Sequence, residues 1–525
     1  MSNLTILPPD SNQALGIGQF AVEFMESGSP GAAVRERTRW FHTDSVLCGL
    51  SALALQTNAP TILRQEALEY ADPQGAKVFG SNETVKAEKA VVANSSAVRE
   101  WDSNGTNFGF RPERNHTAGE FGHNDFYPVA IAAAQQQNLD GATALKAMVL
   151  LDEIRGRLAE VFSLKTYKID HVVHGAIGSA ATYGALMGAT PEQIESAIGM
   201  FVAHTIPWRA IRAGKQLSDS KGASAAISTE SAILFMKRAM RGFVGPKDIF
   251  RNPEAIFRFF EPTTSGKDRW KEQGDSPFEL ALSSTGDDFA VMGMHFKLGL
   301  YEHQSAGALQ GMIDLIKANP SIIADGGNGI KKITIVAYEP AFGIIGNPMK
   351  KDPKTRQSAD HSMAYIVSTL LRKAIDAGAV ESANDEIWKQ LMLMPEDYKV
   401  ADTAIFHPVT RSLMDRIDFQ HGGPDYDAKY PDGIPTSLKI EMSDGSILDS
   451  GLVMYPAGHA RNTAANLREI LGHKWGLLGG IAAADFSDPL GYIEMLESLE
   501  SLSPEEMQGI YNFPIAARPG YEAAG

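Results

Sequence analysis

The sequence predicts a mostly α-helical protein that also contains a smaller α+β part. Apolar residues recur at helical spacing from Leu15 to about Phe260, and the pattern is helical again after about residue 460. Between 293 and 460, alternating apolar residues indicate strands. The simplest architecture is a large all-helical domain built from both chain ends, with an inserted α+β lid domain. We therefore place the domain segments at 1–292, 293–460 and 461–525.

The helical segments carry start and stop signals. Runs such as SVLCGLSALAL and GATALKAMVLLDEIRGRLAEVF have the helical period. Thr190 stands three residues before Gln193, with a proline directly after the threonine, which predicts a capping box at a helix start. Gly242 and the Gly245–Pro246 pair predict the end of the run STESAILFMKRAMRGFVGP.

The middle of the chain shows strand patterns. The segment KKITIVAYEP alternates at Ile333, Ile335 and Ala337, as a half-buried strand does. Further on, SLKIEMSDGSILDSGLVMY has the turn pair Asp444–Gly445 between two apolar stretches, which predicts a hairpin. The helical run ADHSMAYIVSTLLRKAIDAG separates these strand segments, so the region mixes helices with a sheet.

Composition excludes several classes of protein. The chain has 525 residues and a formal net charge of -15, which argues against nucleic acid as a general partner. No apolar stretch reaches the length of about 18 residues that a membrane span needs. The N-terminal residues lack the features of a secretory or transit peptide. The single cysteine, Cys48, excludes an intramolecular disulfide and fits a reducing compartment, so we expect a cytoplasmic protein.

Several common chemical motifs are absent. The sequence has no GxxxxGK[ST] loop, GxSxG elbow, HExxH or CxxC, so nucleotide, hydrolase and metalloprotease functions have no support. Cys48 lies in an apolar helical run, which favours a core position over a nucleophilic role. We therefore looked for function in clusters of histidine, lysine, arginine and aspartate.

The most informative segment runs from Asp170 to Ala225, where basic residues stand among glycine, alanine and serine. Small residues allow close approach of helices, and of a ligand to the backbone. In an acidic chain this pattern predicts an anion site, although a solvated basic face between tight helices is the alternative. The basic residues are His171, His174, His204, Arg209, Arg212, Lys215 and Lys221.

A second polar segment spans residues 100–134. It is Gly-rich and irregular from Asn104 to Asn124, and a helix follows. Polar loops before helices often carry function, and His123 falls near a helix N-terminus, where backbone N–H groups favour anions. The alternative is a surface loop with solvated histidines. Its polar residues are Asp102, Asn104, Thr106, Arg111, Arg114, His116 and His123.

Three further features involve single residues. His171 and His174 have an i, i+3 spacing that can suit a metal, but no carboxylate pattern accompanies them, so we expect no metal and no cofactor. Lys221 lies in SDSKGASA, where a lysine can meet a substrate carboxylate as a point charge. Lys297 and His303 open the predicted lid domain. Each residue taken alone also fits an ordinary surface or core group.

Six segments together resemble the MmgE/PrpD family, which includes 2-methylcitrate dehydratase and cis-aconitate decarboxylase. The resemblance covers nearly the whole chain. It implies metal-free chemistry on a tricarboxylate at the interface of a helical domain and a smaller α+β domain, usually in a homodimer. The segments are WDSNGT, DHVVHGAIGSAATYGALMGATPEQIESAIGM, DSKGASAA, FKLGLYEHQSAG, DPKTRQSADHSMAYIV and YPAGHARN.

The resemblance also implies site residues. Asp102 and Thr106 match the family motif D-x-[DN]-[DG]-T, while Gly105 stands where a second acid is common. The loop from Asn107 to Gly122 brings additional basic residues. The residues expected to be catalytic are Asp102, His123, His171, Lys221, Lys297 and His303. Those expected to bind substrate are Thr106, Arg111, Arg212 and Lys215.

We therefore expect a metal-independent lyase that dehydrates 2-methylcitrate to 2-methyl-cis-aconitate, a reaction of propionate catabolism. Histidine suits the proton transfers, and lysine and arginine hold carboxylates. The alternatives within the family are a cis-aconitate decarboxylase and an isomerase or epimerase of a related acid. A non-catalytic tricarboxylate-binding protein is a third possibility, although binding alone does not need the histidines. A helical scaffold with an acidic surface for protein contacts explains the histidines poorly.

Overall fold

Helices rich in alanine and aliphatic residues fill the N-terminal half of the protein. The structure is a computed structural model that describes residues 4–212, 216–260, 274–485 and 487–522. The N-terminal helices are Gln13–Ser27, Ala32–Ala54, Asn58–Leu68, Ala87–Glu100, Tyr127–Gln137, Gly141–Val161, Val172–Leu186, Pro191–His204 and Ser220–Met240, with a short turn of helix at Ile256–Phe259.

Two C-terminal helices, Leu467–Ala482 and Pro489–Glu497, pack against Ala32–Ala54 and complete this group. We call the N- and C-terminal helices together the helical body. It is built from both chain ends, which confirms the predicted fold class. The domain boundaries at 292 and 460 stay predictions.

Small residues set the spacing of helices at the centre of the helical body. The helix Val172–Leu186 packs against both Gly141–Val161 and Ser220–Met240. A Cβ atom on Gly175 would lie 1.9 Å from the Phe126 ring, so a larger residue there would push the helix off that ring. The small residues of this segment therefore serve close packing, as the sequence predicted.

Local sequence signals in the helical body are confirmed. Thr190 and Gln193 form the predicted capping box at the start of Pro191–His204. Cys48 is fully buried within Ala32–Ala54, as expected of a core residue. The helix predicted to follow the polar loop is Tyr127–Gln137.

The polar loop itself contains a hairpin, which corrects the expectation of an irregular stretch from Asn104 to Asn124. Strand Thr106–Phe108 pairs antiparallel with Phe121–His123, and Thr106 lies opposite His123. The rings of Phe108 and Phe121 meet edge to face, with centroids 5.5 Å apart, so cross-strand aromatic packing stabilises the pair. The many glycines of the segment masked this strand signal.

Other short strands pair around the helical body. Leu4–Leu7 runs antiparallel to Leu280–Ser283, and Ser29–Pro30 runs parallel to Thr285–Gly286. Ala71–Lys77 pairs antiparallel with Thr84–Val85. The first two pairs join segments that are distant in the chain, whereas the third is local.

The α+β part, which we define as the elements between Ala306 and Asp449, contains a four-stranded sheet. Its strand order is Ile417–His421, Ile330–Ala337, Thr436–Met442 and Ile447–Asp449. The first pair is parallel and the other two are antiparallel. The predicted strand and the hairpin at Asp444–Gly445 are both confirmed, and Gly445 has the positive φ of 87° that such a turn requires.

Helices precede, connect and follow the strands of this sheet, and Ala306–Ala318 packs against the strand Thr436–Met442. They are Ala306–Ala318, Arg356–Ala359, Met363–Ala377, Asn384–Gln390, Pro408–Asp415 and Pro424–Asp427. The helix Met363–Ala377 lies in the predicted run and begins after the cap residue Ser362.

Among the described residues, no single helix has both the length and the apolarity to cross a membrane. The helices Ala32–Ala54 and Asn58–Leu68 meet the length and composition criteria only when taken together, and they are bent by 90°.

A buried ion pair fastens the α+β part to the helical body. The guanidinium of Arg356 binds the carboxylate of Glu100 and also donates to the Glu100 backbone carbonyl at 2.8 Å. Beside this pair, the Leu217 N–H donates to the Ser358 hydroxyl at 2.9 Å. Burial raises the pKa of Glu100 to about 7, although Arg356 opposes that shift. The pair thus supplies the charge that a buried carboxylate needs.

Arg356→Met should destabilise the protein by about 3–5 kcal/mol, because it leaves the Glu100 carboxylate buried without its partner. The control Lys332→Met breaks an exposed ion pair with Asp418 and should cost less than about 1 kcal/mol. Urea denaturation followed by tryptophan fluorescence measures both. Equal midpoints for the two variants would contradict the role given to Arg356.

Candidate functional site

A cleft opens where the hairpin, the helical body and the α+β part meet. Basic and histidine side chains dominate its wall, together with aromatic side chains from the hairpin. The residues that line it are Arg99, Thr106, Phe108, Phe121, His123, His171, Arg209, Arg212, Glu302, Gln304, Ile344, Lys350 and His361. This is the place where the predicted anion-binding residues and histidines come together.

Asp102 lies buried directly behind this cleft. It follows the last residue of the helix Ala87–Glu100 by two positions, and Arg99 stands in the last turn of that helix. The Nη1 atom of Arg99 is 3.2 Å from one Asp102 oxygen, and the Nζ atom of Lys221 is 3.4 Å from the other. Lys297 binds the same carboxylate. One buried carboxylate thus gathers three cationic side chains.

The α+β part adds a second carboxylate to this cluster. The docked helix Arg356–Ala359 ends at Asp360, whose Oδ1 atom is 3.0 Å from Lys221 Nζ. The next residue is His361, whose Nδ1 atom lies 2.7 Å from Asp360 Oδ1 and 3.2 Å from Asp102 Oδ2. His361 therefore faces carboxylates from both parts of the protein.

Burial and charge move the pKa values of this cluster in definite directions. Burial acts to raise the pKa of Asp102, but Arg99, Lys297 and Lys221 outweigh it and hold that pKa well below the usual range. Burial lowers the pKa values of both lysines, against the pull of their carboxylate partners. Burial and Lys221 lower the pKa of His361 to about 4. Asp102 is therefore ionised and His361 neutral at neutral pH.

His123 stands at the end of the hairpin with Arg99 beside it. The Arg99 Nη2 atom is 3.3 Å from His123 Nε2, and a guanidinium can only donate. The His123 Nε2 atom is therefore the acceptor, and the ring proton of the neutral form lies on Nδ1. Burial, followed by Arg99 and Lys297, lowers the pKa of His123 well below its usual value. His171 meets His123 edge to face, with ring centroids 5.1 Å apart.

Arginines from the predicted basic segment close another side of the cleft. Arg212 pairs with the buried Asp170, with Nη2 and Oδ1 3.2 Å apart. The Nη1 atom of Arg209 is buried and has no hydrogen-bond partner among the described residues. A guanidinium nitrogen in that condition is suited to a bound anion.

A buried lysine in the C-terminal helix Leu467–Ala482 contacts the backbone next to the Asp102 cluster. The Nζ atom of Lys474 lies 2.8 Å from Asp44 Oδ1. The same ammonium donates to the backbone carbonyls of Ser103 and Lys297, at 2.7 and 3.0 Å. Lys474 therefore holds two backbone segments in place next to the Asp102 cluster.

The sequence-predicted residues occupy three kinds of position. Thr106, His123, His171 and Arg212 line the cleft. Asp102, Lys221 and Lys297 lie buried behind its wall as one charge cluster. His303 is buried nearby and stacks on the His295 ring at 5.0 Å.

Of the predicted substrate-binding residues, Arg111 does not join this group. Arg111 is engaged by Asp288 and Glu113 and does not line the cleft. Lys215 lies outside the described residues. Of the other basic residues in its segment, His174 is a core residue, with Nε2 3.0 Å from the Phe162 carbonyl, and His204 is exposed.

Sequence reasoning did not select four ionisable cleft residues: Arg99, Glu302, Lys350 and His361. Arg99 occurs in an ordinary helical run, where an arginine usually faces solvent. Glu302 and His361 lie inside segments that carried the family resemblance, and Glu302 directly precedes His303, which was selected. The available signal was the Asp360–His361 pair directly before a helix, which resembles an oriented acid–base pair.

The carboxylate cluster also has the donor types of a metal site. One ligand atom from each of Asp102, Asp360 and His361 lies within 4.8 Å of the others. The same two carboxylates already hold Lys221 and Lys297. A divalent cation placed there would face fixed positive charges at close range, so the arrangement favours an anion in the cleft over a metal behind it.

Comparison with protein families agrees with this geometry. The MmgE/PrpD N-terminal domain matches residues 17–268, and the MmgE/PrpD C-terminal domain matches residues 302–471. The chain belongs to the MmgE/PrpD family. The expected family resemblance is thereby confirmed, and Lys297 lies in the gap between the two matches.

The individual relatives have low sequence identity to this protein, but the matches cover most of each chain. 2-Methylcitrate dehydratase of Escherichia coli K12 is 23% identical over 80% of both chains. A probable 2-methylcitrate dehydratase of Saccharomyces cerevisiae is 23% identical over 79% of this chain and 76% of its own. The cis-aconitate decarboxylase-like protein oryM of Aspergillus oryzae is 22% identical over 68% of this chain and 73% of its own. Dehydratases thus predominate among these relatives.

The departure from the family motif at Gly105 has a steric reason. A Cβ atom there would lie 2.3 Å from the Phe41 ring and 2.4 Å from the Asn124 side-chain oxygen. The space that a second acid would need is therefore filled by Phe41 and Asn124.

Gly105→Asp should destabilise the protein by more than about 3 kcal/mol, because overpacking adds to the cost of a buried carboxylate without a partner. The control Gly480→Asp, where nothing lies within 4 Å of the added Cβ, should stay within about 1 kcal/mol of the parent. Thermal unfolding followed by circular dichroism compares them. A Gly105→Asp variant as stable as the control would contradict this packing.

Proposed function

We propose that this protein is a metal-independent hydro-lyase that dehydrates 2-methylcitrate to 2-methyl-cis-aconitate. The observation that carries the proposal is the cleft wall, where Arg99, Arg209, Arg212 and Lys350 stand beside three histidines. A tricarboxylate needs such a concentration of positive charge, and proton transfer needs the histidines. The names of the dehydratase relatives support the reaction type.

The charge distribution supports an anionic substrate over a neutral one. The protein as a whole carries a formal charge of -15, so a tricarboxylate is repelled at long range. Binding must therefore come from close contacts inside the cleft, where low dielectric strengthens each ion pair. Arg209 offers a buried donor that no described residue engages, and we assign one substrate carboxylate to it.

Dehydration removes a proton next to a carboxylate and expels hydroxide. Negative charge that develops on the carboxylate is stabilised by the cationic wall. His123 is positioned to donate a hydrogen bond to the substrate through Nδ1, whereas the hydroxyl of Thr106, on the facing strand, donates to the Gly122 carbonyl at 2.8 Å and can only accept from a substrate. In this arrangement Asp102, Lys221 and Lys297 keep the wall in place from behind.

A decarboxylase of cis-aconitate is the second candidate, because the relative from Aspergillus oryzae carries a decarboxylase-like name. The same cationic wall would bind that substrate. The proposed homodimer and cytoplasmic location stay predictions for either activity.

The deciding experiment incubates the purified protein separately with 2-methylcitrate, citrate and cis-aconitate. Ultraviolet absorbance reports the unsaturated acid, and a coupled assay reports carbon dioxide. We expect turnover of 2-methylcitrate that survives prior treatment with a chelator. Faster carbon dioxide release from cis-aconitate would favour the second candidate, and activity that needs added zinc or iron would refute metal independence.

Arg209→Gln should lower kcat/KM for the tricarboxylate by about 10- to 100-fold, mainly through KM, because a charged hydrogen bond is worth about 1.5–3 kcal/mol. The control is Arg241→Gln, an exposed arginine just after the helix Ser220–Met240, which should leave both constants unchanged. Steady-state kinetics on 2-methylcitrate measures the difference. An unchanged KM in the Arg209 variant would remove this residue from the binding site.

A further inference from the structure

His361 differs from the other histidines of the cleft in what its ring nitrogens face. Its Nδ1 atom lies between two carboxylate oxygens, 2.7 Å from Asp360 and 3.2 Å from Asp102. Both carboxylates are held ionised by lysines, so they can only accept. The Nδ1 atom must therefore carry the proton. The lone pair is left on Nε2, which has no hydrogen-bond partner among the described residues.

The other two histidines are less suited to accept a proton. The Nε2 atom of His123 already accepts from Arg99, and an imidazolium there would stand beside a guanidinium. His171 has no hydrogen-bond partner on either nitrogen among the described residues. Its nearest carboxylate, Asp170, is 3.6 Å away and is paired with Arg212. His361 differs in that two carboxylates lie within 3.2 Å of its Nδ1 atom and would stabilise the imidazolium that forms.

We propose that His361 is the catalytic base of the dehydration and that Glu302 returns a proton to the departing hydroxide. The assignment rests on the proposed hydro-lyase activity and names residues that carry out its proton transfers. Both side chains line the cleft. Glu302 is held through Oε2, which accepts from the Gln304 backbone N–H at 2.8 Å.

The step balances within the cleft. His361 Nε2 takes the proton from the carbon next to a carboxylate, and the C–H electron pair becomes the new C=C bond. The C–O bond of the neighbouring carbon breaks, and its electron pair leaves with the hydroxide. The protonated carboxyl of Glu302 gives that hydroxide a proton, which produces water and the Glu302 carboxylate. Transfer of the His361 proton to Glu302 through water restores both groups.

The charged groups around the pair set its pH range. His361 faces Asp102, Asp360 and Lys221, and Glu302 faces Asp102, Lys297 and Arg99. Burial lowers the pKa of His361 to about 4, and burial followed by Asp102 raises that of Glu302 to about 7. The base is active above the lower value and the acid below the higher one. The profile of kcat/KM should therefore be bell-shaped between them.

His361→Gln should lower kcat by about 10²–10⁴-fold with a change in KM of less than about threefold. It should also remove the acidic limb of the pH profile, and Glu302→Gln should remove the basic limb. Ionisation of the substrate is common to all variants and cancels in the comparison. Added imidazole should restore part of the activity of His361→Ala. The matched control is His473→Gln, an exposed histidine outside the cleft.

A second measurement does not depend on turnover. Diethyl pyrocarbonate modifies the unprotonated nitrogen of neutral imidazole, so peptide mass spectrometry should find His361 modified, and 2-methylcitrate should slow that modification while leaving His473 unaffected. An unmodified His361, or a His361→Gln variant with wild-type kcat and pH profile, would overturn the assignment while leaving the hydro-lyase proposal intact. A wild-type protein that dehydrates none of the three acids would overturn both.

Discussion

A buried carboxylate requires compensating charge, and the structure around Asp102 follows from that requirement. Removing an ion from water costs several kcal/mol even after relaxation. Arg99, Lys221 and Lys297 meet this cost from three separate regions of the chain. Each region is thereby held at the wall of the cleft, so one electrostatic constraint joins the helix Ala87–Glu100, the helix Ser220–Met240 and the segment that leads into the α+β part.

This constraint also separates two roles among the basic residues. Lysines bound to Asp102 and Asp360 are already neutralised and lie behind the wall. Arg209, by contrast, lines the cleft and has a guanidinium nitrogen with no hydrogen-bond partner among the described residues. The site thus combines buried lysines, whose charges are compensated by carboxylates, with a cationic cleft wall. Because the buried ion pairs are already formed, the cationic side chains of the cleft wall can bind a charged substrate without rearrangement of the Asp102 cluster.

Structural features that depend on neighbouring residues could be predicted from the sequence. Features that depend on contacts between distant residues could not. The cap at Thr190 and the turn at Asp444–Gly445 are local, and both are confirmed. The hairpin at Thr106 was missed because its strands are only three residues long and the segment around them is rich in glycine. His361 escaped selection because it contacts Asp102 across more than 250 residues of chain, and Arg99 because its contacts with Asp102 and His123 form only when the chain folds back at the hairpin. Family resemblance selected Asp102, Lys221 and Lys297, which share one cluster, but it did not reveal that this cluster lies behind the wall.

The support that Lys474 gives to the site imposes an order on its assembly during synthesis. Lys474 and the Ser103 carbonyl that it binds are 371 residues apart. At about 5–20 residues per second, the ammonium emerges roughly 20–75 s after that carbonyl. Until then Asp44 lacks its partner, and the backbone beside Asp102 lacks a donor. The contacts beside Asp102 in the nascent helical body therefore stay incomplete until the C-terminal helix has been synthesised. Chaperones can bind the chain during that interval.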